Sequence, residues 1–183
     1  GLQNGPTVVA TLRYRLQYER GDLANLEPLL EMIIEAQPAV PVWRMALCGV
    51  YLQTDRPELC VSHVEAVVAD DFAMVPRNAV FLLTCSSTAR IASQVGALAA
   101  AEAAYSHAAP FDDLFPFAGT LWEYPIGVGV GAAAAALGWY DRAEGHFANS
   151  RALCERAGAA TYLVATDVHE AEMLVQRDAP GDA

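Results

Sequence analysis

Apolar side chains return every three or four positions through most of this chain, and glycine, proline and aspartate punctuate them. Leu23, Leu26, Leu29, Leu30 and Ile33 make the clearest stripe, that of an amphipathic helix started by Asp22. A first helix over 7–20 precedes it and stops at Gly21. Pro28 is discordant inside the second helix unless that helix starts late. After the turn QPAVP (37–41), a third helix covers 42–53. Thr54, Asp55, Arg56 and Pro57 break it, with Asp55 as the cap and Pro57 as the first-turn residue of the next helix. That fourth helix, 58–70, carries Leu59, Val61, Val64, Val67 and Val68. A connector over 71–77 leads to a fifth helix over 78–95, stopped by Gly96, and a sixth over 98–108. The irregular stretch 110–120 holds three of the six phenylalanines. A Gly/Ala-rich seventh helix then begins at Ile126 and closes at Gly138, and Asp141 opens an eighth. A ninth covers 159–176, and 177–183 is a tail or turn. No stretch alternates with period two between turn residues, so the fold class is all-α.

The helices pair, and the pairs recur. The turns at Gly21, Asp55, Gly96 and Gly138 lie 34, 41 and 42 residues apart. Five and nine residues past each turn stand Leu26 and Leu30, Cys60 and Val64, Ala101 and Tyr105, then Ala143 and Phe147. A step of about 34 is a tetratricopeptide period, and about 40 is that unit with a longer joint. The spacing of Gly131, Gly138, Tyr140, Ala143 and Phe147 resembles the same helix–turn–helix unit. Residues 1–183 are therefore expected to form one tetratricopeptide-like stack of about nine helices. Phe147, on one face with Ala143 and Ser150, is expected to be a buried knob against the Gly/Ala helix.

Three longer runs extend the likeness: GDLANLEPLLEMIIEAQPAVPVWRMAL, VVADDFAMVPRNAVFLL, and GWYDRAEGHFANSRALCERAGAATYLVAT followed by RDAPGD. They resemble the helical region of large bacterial signal-transduction ATPases. In that family a nucleotide-binding ATPase module precedes such repeats, and an adenylate-cyclase domain or a LuxR-type DNA-binding domain supplies the output. The sequence has no G-x-x-x-x-G-K-[ST], no basic helix-turn-helix and no paired metal-binding aspartates on strands. The resemblance implies a regulatory scaffold within an ATP-binding parent, and the start without Met is read as that of a piece of a longer chain.

Composition narrows the partners. Net charge is −11, and all 11 basic residues are arginine. So acidic a chain is not expected to contact nucleic acid directly, because phosphate binding needs a basic patch. Mean hydropathy is +0.23 with 54% hydrophobic residues, but no apolar run attains membrane-spanning length. No secretion signal is read either, so a cytoplasmic location and no membrane partner are expected. Arginine-only, alanine-rich usage fits a high-GC bacterial genome. Cys48, Cys60, Cys85 and Cys154 have no C-x-x-C spacing and are read as buried thiols, with disulfides or zinc as the alternatives.

Isolated residues suggest chemistry without completing it. Gly127, Gly129 and Gly131 mimic a phosphate loop, but Tyr124-Pro125 precedes them and an alanine helix follows, which favours close helix contact. Asp167, His169, Glu170 and Glu172 cluster, yet no H-E-x-x-H exists, and a solvated face is the simpler reading. His63 near Glu65, His107 near Asp112, and His146 are isolated titratable groups; Ser86-Ser87-Thr88 lies mid-helix. No catalytic residue, cofactor site or metal site is assigned, and the chain is not expected to be an enzyme.

What remains is surface. Counting back from each turn, the first helices would present Arg15, Tyr18, Met45, Leu52, Ser86, Arg90, Ser93 and Val128, with Ala132 and Ala135 after them, to a concave groove. Such a groove suits a peptide or amphipathic helix from another protein or from the chain's own domains. The alternative function is a small-molecule sensor or enzyme with its pocket under the aromatic loop from Phe111 to Trp122. Val164, Val168, Ala171 and Val175 form an apolar stripe on the ninth helix, from which a homodimer or a missing covering helix is expected.

Overall fold

The computed structural model describes residues 5–117 and 120–178. Nine α-helices account for most of them: α1 (Gly5–Arg20), α2 (Glu27–Ala36), α3 (Val42–Gln53), α4 (Cys60–Phe72), α5 (Phe81–Gln94), α6 (Leu98–Ala108), α7 (Ile126–Ala136), α8 (Tyr140–Ala157) and α9 (Ala160–Arg177). An isolated antiparallel bridge joins Phe117 to Trp122, and no strand forms among the described residues. Of the predicted tail 177–183, residues 179–183 lie outside the described residues, and Arg177 still belongs to α9. Helices α3, α5, α7 and α9 lie side by side in one layer, while α4, α6 and α8 alternate across its outer side.

One turn geometry is used five times. Gly21, Asp55, Gly96, Gly138 and Gly158 all adopt left-handed backbone, with φ between 57° and 76°. Each donates its N–H to the carbonyl three residues back, at 2.9–3.4 Å. The next residue donates to the carbonyl five back: Asp22 to Gln17, Arg56 to Tyr51, Ala97 to Ala92, Trp139 to Ala134 and Ala159 to Cys154, at 2.8–3.0 Å. This pair of bonds is a Schellman cap, which satisfies helix-end carbonyls and reverses the chain. Asp55 therefore ends α3 and does not cap the next helix as its sequence context suggested; Asp and Asn are the side chains that tolerate this conformation best after glycine.

Other boundaries shift for local reasons. A 3-10 turn, Ala24–Leu26, delays α2 to Glu27, so Pro28 falls in its first turn, where a missing N–H costs nothing. Asp141 does not cap α8: Trp139 holds the cap position without a side-chain bond, and Asp141 sits in the first turn, where a carboxylate favours the dipole. The regular part of α4 ends before Ala69, and Asp70, Asp71 and Phe72 all have positive φ.

The repeat register survives these shifts. Leu26, Leu30, Cys60, Val64, Ala101, Ala143 and Phe147 are buried and Tyr105 is half-buried. The seventh helix gets as close to its neighbours as its composition suggested. A Cβ on Gly129 would overlap the Ser86 carbonyl oxygen on α5. One on Gly131 would lie 2.8 Å from the Phe147 ring of α8, and one on Gly127 would lie 2.8 Å from the His146 carbonyl. The three glycines thus serve helix contact on two sides. At the far end, Thr166 and Met173 of α9 point inward, whereas Val164, Val168, Ala171 and Val175 are exposed.

Candidate ligand-binding groove

Inward-facing residues of four helices enclose a cavity of about 170 Å³. Helix α1 contributes Tyr14, Arg15 and Tyr18; α3 contributes Val42, Trp43 and Met45. Ser86, Ser87 and Arg90 come from α5, and Val128 and Gly129 from α7. Pro116, Glu123, Tyr124 and Pro125 close one side; of the described residues in the aromatic loop from Phe111 to Trp122 only Pro116 lines the groove, and both Phe111 and Trp122 are exposed. Of the eight groove positions predicted from sequence, Arg15, Tyr18, Met45, Ser86, Arg90 and Val128 line it. Leu52 and Ser93 do not: each is the penultimate residue of its helix, Leu52 joins the core, and Ser93 Oγ donates to the Arg90 carbonyl at 2.7 Å. Ala132 and Ala135 do not line it either.

Counting from the turns did not find Tyr14, Trp43, Glu123 or Tyr124. Tyr14 was within reach, because it stands one helical turn before Tyr18 on the same face. Glu123 and Tyr124 lie in irregular chain, where periodicity gives no direction. Gly49 lets Tyr14 approach α3, since a Cβ there would overlap the Tyr14 hydroxyl.

The charges of the groove are unevenly paired. Arg15 donates from Nη1 to Glu123 Oε2 at 2.9 Å and also pairs with Glu19 on its own helix. Its guanidinium lies 4.6 Å from the Tyr124 ring centre and 5.0 Å from that of Tyr162 on α9. Arg90 bonds only to neutral Gln94 among the described residues, Nη1 to Oε1 at 3.4 Å. Trp43 is 6% exposed, and its buried indole Nε1–H has no acceptor among the described residues. An unmet buried donor costs about 1–3 kcal/mol. Burial pushes the Tyr14 hydroxyl far above the usual phenol value, helped by Tyr18.

Burial also raises the Glu123 carboxyl above its usual 4.5, against the opposing pull of Arg15 and Arg90. A carboxyl with a raised folded-state pKa holds its proton more tightly in the folded chain. Its favourable contribution is complete below 4.5 and is lost as pH rises through the raised value. The stability of the native chain relative to Glu123→Gln is thus expected to increase from pH 7 to pH 5, read as the difference in urea midpoints. Parallel pH profiles would contradict this.

The remaining polar residues are committed elsewhere. His146 pairs through Nδ1 with Asp112 Oδ2 at 2.7 Å and through Nε2 with the Tyr105 hydroxyl at 3.0 Å; Asn149 donates to Asp112 as well. This relay ties α6, α8 and the following loop together. His107 pairs with Asp71 at 2.7 Å and not with Asp112, its neighbour in sequence. Arg44 approaches His63, whose pKa is lowered by burial and then by that guanidinium. On α9, Asp167 and Glu170 both pair with Arg151, and His169 pairs with Glu172. All four cysteines are buried and free, with Cys60 Sγ donating to the Cys48 carbonyl at 3.6 Å. No helix among the described residues is long and apolar enough to cross a membrane.

No protein-family model, curated protein or solved structure matches this chain. The groove is therefore read from its own chemistry. Its walls are apolar on α3 and α7 and mixed on α5, with one neutralised arginine and one arginine lacking a carboxylate partner among the described residues. Such a surface can bind and orient a small molecule.

Proposed function

We propose that this chain is a regulatory sensing segment whose groove receives a small effector and which performs no chemistry itself. It resembles the tetratricopeptide-like region of bacterial ATPase-type signalling or transcriptional regulators, and an effector held there would bias the parent's output. The observation that carries the reading is the convergence of α1, α3, α5 and α7 on one cavity of about 170 Å³. That volume favours a small molecule over an extended peptide. It is close to the roughly 150 Å³ of an engineered apolar cavity that accepts benzene. The scaffold reading and the sensor reading meet here, because the Pro116 and Glu123–Pro125 segment closes over the inner helices.

A ligand-observed NMR screen of small fragments tests this. Ser87→Trp places a large ring in the groove, while Glu102→Trp places one on the exposed side of α6. Fragments that bind the native chain are expected to lose their signal with Ser87→Trp and keep it with Glu102→Trp. Hits indifferent to Ser87→Trp, or no hits at all, would overturn the reading. Ala46→Leu is a milder filling variant should the tryptophan disturb folding, which circular dichroism would report.

A further inference from the structure

Resting on that reading, we propose that the groove's occupant is a small hydrophobic carboxylic acid, its carboxylate on Arg90 and its hydrocarbon part between α3, α5 and α7.

The sign of the charge follows from the pairing. Two guanidiniums and one carboxylate line the cavity, and the carboxylate of Glu123 is taken by Arg15. Arg90 is left with one long bond to a neutral amide, and no carboxylate among the described residues forms an ion pair with it. The charges of Glu123 and Glu172 reach it only at longer range. A guanidinium stays protonated in any protein setting, so this cation is permanent. It favours an anion with planar paired oxygens, which a guanidinium grips with two parallel N–H bonds. Trp43 lines the cavity beside it as an apolar ring.

The size and the class follow from the walls. Val42, Met45, Leu83 and Val128 offer hydrocarbon and no charge, which leaves Arg90 as the lining charge that no carboxylate pairs with among the described residues. A polyanion such as a nucleotide would leave charge unpaired against those walls. A single carboxylate on a ring or a chain of several carbons matches both the charge and a volume of about 170 Å³.

Calorimetric titration of the chain with 3-phenylpropionate and octanoate, and with their primary amides, tests the proposal. The carboxylates are expected to bind at least tenfold more tightly than the amides. Arg90→Gln is expected to weaken carboxylate binding by tenfold or more and leave the amides unchanged, as befits a lost charge-assisted bond. Arg90→Lys should restore part of the affinity. Arg142→Gln, at an exposed arginine on α8, should change nothing. Amides that match the carboxylates, or carboxylate binding indifferent to Arg90→Gln, would overturn the carboxylate proposal while the binding reading stands. Displacement of phenylpropionate by inorganic phosphate at similar concentration would overturn the hydrophobic part. Should Arg90→Gln fail to fold, the carboxylate-to-amide ratio of the native chain decides. If no compound binds the native chain and the fragment screen is also blank, both readings fall together.

Discussion

Phe147→Ala is expected to lower the stability of the chain by about 3–5 kcal/mol, the usual cost of truncating a fully buried phenylalanine. The ring is 0% exposed and packs with Ala134, Ala135, Ala143 and Met173, so it joins α7, α8 and α9 at one point. Its edge also faces Gly131, where no side chain exists that could swing into the vacated space. For a chain of this length a loss of that size moves the melting temperature by about 6–20 °C. Urea titration and calorimetry would measure it. A midpoint unchanged within error would mean that the face of α8 has been wrongly assigned. Phe147→Leu should cost distinctly less, because most of the volume stays.

The second large effect concerns a single methyl group. Gly129→Ala places a Cβ against the backbone carbonyl of Ser86, and backbone cannot step aside as a side-chain tip can. Helices α5 and α7 would have to part, and overfilled contacts of this kind cost about 1–3 kcal/mol, occasionally more. Helix propensity pulls the other way by up to about 1 kcal/mol, since alanine suits a helix better than glycine. The net expectation is destabilisation of about 1–2 kcal/mol. Gly145→Ala is the matched control: a Cβ there meets nothing within 4 Å, and the position is exposed on α8. The same substitution should therefore stabilise at 145 and destabilise at 129. Equal effects at the two sites would show that α5 and α7 do not approach so closely.

The helices were legible because punctuation and periodicity agreed. Gly21, Gly96 and Gly138 each end a helix in the conformation that glycine adopts most easily. Asp55 was aligned with them by register and yet given the wrong task, because aspartate serves both helix ends and sequence alone does not say which. The groove was legible on α1, α3, α5 and α7, where a turn fixes the phase of the helix before it. Leu52 and Ser93 were misplaced by extending that phase to the last turn of α3 and α5, beyond the rim of the cavity. Glu123 and Tyr124 carry no phase, so their place beside Arg15 came only from tertiary structure. The unpaired state of Arg90 was likewise illegible: charge pairing is settled across 108 residues, between Arg15 and Glu123.

That long-range pair also bears on how the stack comes apart. Helix pairs that touch only their neighbours unzip from the ends, each repeat with its own local stability. Here Arg15 of α1 bonds to Glu123 and lies over the ring of Tyr162 on α9. Tyr124 joins the same group, 6.1 Å from Tyr18 and 5.1 Å from Tyr162 between ring centres, and the Tyr162 hydroxyl donates to the Trp122 carbonyl at 2.6 Å. Among the described helices, α1 is thus fastened to α9 through these side chains. Fraying at one end then releases the other, so the two termini share a single opening event in place of two independent ones. The entropy of closing so long a loop is met once, by a buckle of one arginine, one glutamate and three tyrosines.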